Sequence, residues 1–153
     1  MTRRDRLRAW LFRLAFSYYP SFWMTGASLT DLAPDFSAAR VELPLTWRTR
    51  NGMGTLFGGS MYAAVDPVYV VLLQRRLGDA FTVWDRAAEI RFEKPGRSTL
   101  HADFAVPDAE VRDIRESLDP GESCDRVYEV ALVDDDGVLH AEVEKTVYVR
   151  REA

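Results

Sequence analysis

One segment of the chain combines residue types that can do chemistry. Arg50-Asn51-Gly52-Met53-Gly54-Thr55-Leu56-Phe57-Gly58-Gly59 is a glycine-rich loop, and the run Ser60 to Leu77 behind it is apolar almost all round, the pattern of a buried helix. A loop of this kind entering a helix leaves backbone N–H groups unpaired at the positive end of the helix dipole. Such groups can hold a developing oxyanion, and a glycine among them lets a ligand approach the backbone closely. Seven residues after Gly59 the helix carries a carboxylate, Asp66, followed by Pro67. A carboxylate in an apolar helix is costly unless it is paired or reaches water. Asp66 is therefore either a functional acid or the cap of a second helix starting at Pro67. Pro67 removes the hydrogen bond to the Ala63 carbonyl, and a kink there would open the helix toward a cleft. An Asp66 facing bulk solvent, or locked in an ion pair, would overturn a catalytic role.

The elements that must position this segment read as α+β. Ala27 to Leu32 and Ala39 to Leu45 are short strands. Phe81 to Glu93, Thr99 to Val106, Arg126 to Val133 and Leu139 to Arg150 alternate as strands do. Trp84, Ala88, Ile90 and Phe92 share one face by this count, which puts Asp85 on the opposite side, away from the helix. Lys94 to Arg97 and Asp134 to Gly137 read as hairpin turns, and Asp108 to Leu118 as a short inserted helix. One antiparallel sheet wrapping one apolar helix satisfies the order, in a single domain over residues 1–153 with its core at 27–150.

Residues 1–23 hold an N-terminal amphipathic helix that ends near Tyr19-Pro20. Leu7, Trp10, Leu11, Leu14 and Tyr18 form one helical stripe, expected to pack on the domain; a helix lying on a membrane surface is the second reading. Five arginines against Asp5 give the first thirteen residues a charge of +4, leaving −8 on the rest of a chain whose net charge is −4. Arg13 interrupts the apolar run and no small-x-small site follows, so a signal peptide is not expected. A transmembrane span over 60–77 is disfavoured by Asp66, Pro67 and Gln74-Arg75-Arg76.

Composition excludes several classes. The acidic balance argues against general nucleic-acid binding. One cysteine, Cys124, permits no intrachain disulfide and fits a reducing, cytoplasmic location. The only histidines are His101 and His140, so there is no Cys/His cluster for zinc. Both fall on polar phases of their strands and read as exposed or structural. The acidic run Asp134 to Asp136 lacks the spacing of a calcium loop.

Asn51 to Gly59 with Asp66 resembles the active-site segment of the hotdog-fold acyl-CoA thioesterase superfamily, of the phenylacetate-pathway and thioesterase-superfamily-member type. That segment runs Asn-x-x-Gly-x-x-His-Gly-Gly, then an acid at this spacing on the central helix. Val83 to Arg97 is similar to the strand that follows the helix, as it stands in a bacterial branch labelled a domain of unknown function. The resemblance covers about residues 27–150. It implies a hotdog fold, with an antiparallel sheet wrapped around a long central helix and the N-terminal helix as an addition.

For chemistry it implies thioester hydrolysis, with Asp66 as base or nucleophile and with the Gly58 N–H and the Asn51 amide polarising the carbonyl. Asp85 stands where the family has a small hydroxyl that places water; here it would orient water, pair with Asp66, or form a surface or interface ion pair with an arginine. Phe57 replaces the family's frequent His and would line an acyl pocket or pack in the core. Gly59 completes the loop, and Arg48, Arg50, Lys94 and Arg97 are candidates for the phosphates of coenzyme A. No cofactor is needed beyond the coenzyme A of the substrate. The partners implied are a small-molecule acyl thioester and a second copy of the chain, as a homodimer or dimer of dimers, because family sites form between subunits. Hotdog dehydratases need a His beside the acid, and none stands in the loop or helix here. A non-catalytic acyl or acyl-CoA binding hotdog is the alternative.

Overall fold

The computed structural model describes residues 2–153. Helices α1 (Arg3–Ser17) and α2 (Pro20–Thr25) lead into β1 (Ser28–Leu32) and β2 (Ala38–Leu43). Then come α3 (Gly58–Val65) and α4 (Val68–Leu77), β3 (Phe81–Phe92), β4 (Leu100–Ala105), α5 (Asp108–Ser117), β5 (Ser123–Val133) and β6 (Leu139–Arg151). The strands make one antiparallel sheet in the order β1-β2-β4-β5-β6-β3. This is the α+β architecture expected, and it fits the hotdog fold with an added N-terminal helical segment.

The sheet buries one face on the α3–α4 helix. Val41, Leu43, Leu100, Ala102, Leu132, Val143, Val147 and Val149 meet Ala64, Val65, Leu72 and Leu73 in one core, each at most 1% exposed. The long helix predicted from Ser60 to Leu77 is broken at Asp66-Pro67, the break that proline dictates, and α4 resumes at Val68.

Four expectations need correction. Lys94 to Arg97 is no hairpin turn: it connects β3 at one edge of the sheet to β4, and those strands are not neighbours. It folds back on the glycine-rich loop, where the Leu56 N–H donates to the Gly96 carbonyl at 2.8 Å. Asp134 to Gly137 does join the paired strands β5 and β6.

The N-terminal segment is two helices, because Pro20 starts a second one. Moreover, α1 packs through Ala9, Phe12 and Phe16, while Leu7, Trp10, Leu11 and Tyr18 are exposed. The helix has apolar residues on both sides, and the core takes the side opposite to the predicted stripe.

Alternation along β3 fails at a β-bulge between Asp85 and Ala87. The extra residue, Arg86, shifts the phase by one. Trp84 therefore lies on the outer face, 66% exposed, and not with Ala88, Ile90 and Phe92. Asp85 stands opposite the buried Val147. Directly opposed residues of an antiparallel pair share a face, so Asp85 is on the helix-facing side.

The α2 segment is tied to the glycine-rich loop through Gly26 and Thr49. Gly26 ends α2 at φ 86°, and a Cβ there would lie 2.1 Å from Thr49 Cγ2. Thr49 is fully buried; its hydroxyl donates to the Pro44 carbonyl at 2.6 Å, and its carbonyl accepts from the Phe57 N–H at 2.7 Å. Gly26→Ala combines a left-handed backbone with a clash against a side chain that has nowhere to go. It is expected to cost about 2 kcal/mol or more in urea unfolding.

Candidate active site

The helix break and the bulge meet at a residue to which the resemblance gives no role. Lys145 lies on the same phase of β6 as Val143, Val147 and Val149 and is 0% exposed. Its ammonium lies 2.7 Å from Asp66 Oδ1 and 2.7 Å from Asp85 Oδ1, and donates to the Asp66 carbonyl at 2.9 Å. The Tyr62 hydroxyl, one turn before Asp66, donates to the same Oδ1 at 2.6 Å. Two carboxylates thus share one ammonium, leaving the cluster with one net negative charge.

Asp66 is therefore in an ion pair, the arrangement expected to speak against catalysis, but it is held through one oxygen only, and it does not cap α4. Its Oδ1 is committed, but Oδ2 has no partner among the described residues, and the side chain is 40% exposed. The Asp85 side chain is 31% exposed. Burial pushes the Asp85 carboxyl up from its ordinary value and the charge of Asp66 adds to this, against the opposing pull of Lys145. Burial alone would lower the Lys145 ammonium, but its hydrogen bonds to both carboxylates outweigh that and raise it. Burial, and then the bond to Asp66, push the Tyr62 hydroxyl up, so it stays a donor.

The loop half of the predicted site is elsewhere. Phe57 precedes α3, and among the described residues no side chain caps the helix start. Gly58 lines a cleft of about 370 Å³ with Thr55, Leu56, Met61, Phe92 and Lys94. The Phe92 ring sits so close that a Cβ at Gly58 would lie 3.0 Å from it. Asp66 lines a separate cleft of about 350 Å³ with Phe16, Tyr19, Phe22, Thr25, Ala63 and Pro67. Eight residues of helix put Gly58 and Asp66 about 12 Å apart along the axis. Within one chain they do not face a common cleft.

The remaining expected residues divide. The Asn51 amide is spent inside its own loop: Nδ2 donates to Thr55 Oγ1 at 2.9 Å and to the Leu56 carbonyl at 3.2 Å, while Oδ1 accepts from the Met53 and Thr55 N–H groups. In this arrangement it shapes the loop. Phe57 is 56% exposed, so it is not core; its ring lies over Gly59, where a Cβ would be 2.3 Å away. Arg48 stacks on Trp23 at 4.5 Å and donates to the Trp23 carbonyl. Arg50 is exposed and its backbone bridges to Leu56. Lys94 is at the Gly58 cleft, whereas Arg97 is exposed and outside its lining.

His140 is buried, 2.9 Å from Asp134, and His101 is 2.6 Å from Asp135; both tie the β5–β6 turn. Among the described residues no group of three or more His, Cys, Asp or Glu is placed to hold a metal ion.

Lys145 and Tyr62 were missed by reasoning from the sequence. A lysine on the apolar phase of a strand otherwise made of Val143, Val147 and Val149 was the signal available. Tyr62, four residues before Asp66, lies on the same side of the helix.

Residues 8–149 match the family described as a domain of unknown function, DUF4442. The chain belongs to this family. No curated protein matches it. Among solved structures, the DUF4442 chain is similar to a Pseudomonas aeruginosa protein of unknown function called a probable thioesterase. The TM-score is 0.80 at 17% identity, over 93% of this chain and 95% of that one. A thioesterase from Haemophilus influenzae gives a TM-score of 0.69 at 15% identity, over 99% and 93%. A mutant thioesterase, also from Pseudomonas aeruginosa, gives 0.70 at 14%, over 92% and 93%. These three neighbours of the DUF4442 chain carry thioesterase names, and at these identities the likeness establishes the fold.

Proposed function

We propose that this DUF4442 protein is an acyl-CoA thioesterase that hydrolyses a small-molecule acyl thioester at the Asp66–Lys145–Asp85 cluster. The observation that carries this is the pair of half-exposed carboxylates held on one buried ammonium at the break of the central helix. Lys145 and Tyr62 fix Asp66 Oδ1, which leaves Oδ2 to orient a water or to attack. In the general-base route, water adds to the thioester carbonyl as its proton passes to a carboxylate of the cluster. The tetrahedral oxyanion is held by N–H groups at the start of α3, Gly58 first. The intermediate collapses with cleavage of the C–S bond, and the thiolate takes a proton as it leaves.

The two halves must come from different copies, because Gly58 and Asp66 of one chain are too far apart to meet on one carbonyl. Strand β3 supports this: it is twelve residues long, pairs with β6 on one side, and forms a sheet edge. A long unpaired edge is a template for another strand. A homodimer joined there, or a dimer of such dimers, is the functional unit in this reading. Sedimentation equilibrium is expected to give at least twice the chain mass; a strict monomer that still turns over substrate would contradict the shared site.

Lys94, at the Gly58 cleft, is the basic residue best placed for a coenzyme A phosphate. No bound cofactor is required, and a cytoplasmic location suits the single cysteine. The alternative, an acyl-CoA binder without turnover, is favoured by one observation: the ion pair that occupies half of Asp66. A panel of short, medium, long and aromatic acyl-CoAs separates the two. Thiol release from at least one class supports hydrolysis, and tight binding with no turnover of any supports the binder.

A further inference from the structure

The N-terminal helices present an apolar face to solvent that the fold does not use. Leu7, Trp10, Leu11 and Tyr18 are 56%, 49%, 51% and 71% exposed; in α2, Met24 is 72% exposed and Trp23 47%, with Arg48 stacked on one side of the Trp23 ring. At about 100° per residue, this stripe is opposite to the Ala9, Phe12 and Phe16 side that seats α1 on the sheet. Arg6 and Arg8 flank the stripe on its two sides, and Arg3 and Arg4 continue it by one turn. Among the described residues none of these four arginines has an ion-pair partner.

We propose that α1 and α2 lay this face on the surface of an anionic phospholipid bilayer. Among the described residues no helix is long and apolar enough to cross a membrane, so the contact is with the interface. A helix with Leu and Trp along one stripe and arginines at its borders sinks the stripe to the headgroup boundary, while the guanidinium groups meet lipid phosphates. Tyr18, Tyr19 and Trp23 are residue types that favour that depth.

Charge selects this occupant over a second copy. A two-fold contact through the stripe would bring the Arg3, Arg4, Arg6 and Arg8 clusters of both chains together, whereas an anionic surface neutralises them. The division of charge, +4 on residues 1–13 against −8 on the rest, would also turn this end toward the membrane and the remainder away. The docking itself does not rest on chemistry at Asp66.

The test is co-sedimentation of the full chain with vesicles of phosphatidylcholine alone and of phosphatidylcholine mixed with phosphatidylglycerol. Binding is expected to the anionic vesicles, weakening with salt and falling roughly fivefold for each Arg→Gln change at Arg3, Arg4, Arg6 or Arg8. The combined Leu7→Ser, Trp10→Ser and Leu11→Ser variant should lose binding with an unchanged melting temperature, because those side chains support no core. Absence of sedimentation with either vesicle overturns the proposal. So does equal binding to both that is indifferent to the arginines. Self-association abolished by the triple serine variant would overturn it too, by assigning the face to a second copy.

Discussion

Lys145→Met is expected to destabilise the fold by about 3 kcal/mol at neutral pH, because it leaves two carboxylates beside a buried apolar side chain. That figure is at the low end for breaking a buried pair, since Asp66 and Asp85 keep 40% and 31% of their side-chain surface for water. The deficit should depend on pH. In the native protein the Lys145 ammonium is raised above 10.5. Its contribution is therefore complete below that value and is lost as pH climbs through the raised one. In the variant, Asp85, raised above 3.8 even with Lys145 present, loses its counter-charge and holds its proton more tightly. As pH falls, Asp85 takes up that proton and the deficit shrinks. Urea unfolding of both proteins across the acidic range checks this. A deficit that is small and flat with pH would mean that Lys145 does not hold the two acids.

Asp66→Asn is the second large effect, and it falls on turnover. The asparagine oxygen can still accept from Lys145 and Tyr62, and Lys145 keeps Asp85, so the fold should persist with little change in melting temperature. What is lost is the anionic oxygen that takes a proton from water or attacks. Removing a positioned general base typically costs 10²–10⁴-fold; about 10³-fold in kcat, with KM nearly unchanged, is expected in a steady-state thiol-release assay. A loss confined to KM would make Asp66 a binding residue only.

The contrast between these residues explains what the sequence could and could not reveal. Periodicity was enough to place the strands and the central helix, because one-sided burial of a sheet and all-round burial of a helix leave different patterns. Asp66 and Pro67 were conspicuous as a charge and a breaker in an apolar run. Lys145 was not, since its meaning comes from two partners 79 and 60 positions away in the chain. Asp85 was placed on the wrong face because one extra residue, Arg86, inverts the alternation, and Arg86 resembles any exposed strand arginine. Its side chain is held on Asp125 at 2.7 Å and over the Tyr148 ring at 5.3 Å, contacts that exist only after the sheet forms.

The loop illustrates a different limit. The spacing from Asn51 to Gly59 was legible, but whether the Asn51 amide faces a substrate or its own turn is decided by Thr55, Leu56 and the backbone between them. For α1, two apolar faces competed for the core. Ala9, Phe12 and Phe16 took it because they meet Phe36 and Phe22 there. That preference depends on residues from α2 onward and leaves no trace in helical spacing alone.

The most direct test of the central claim is single-turnover thiol release from a saturating acyl-CoA by the native protein and by Asp66→Asn, with acyl-CoA binding to each measured in parallel. A catalytic Asp66 requires that both bind alike, that the native protein releases the thiol, and that the variant does so about a thousandfold more slowly. Equal release by both would contradict it.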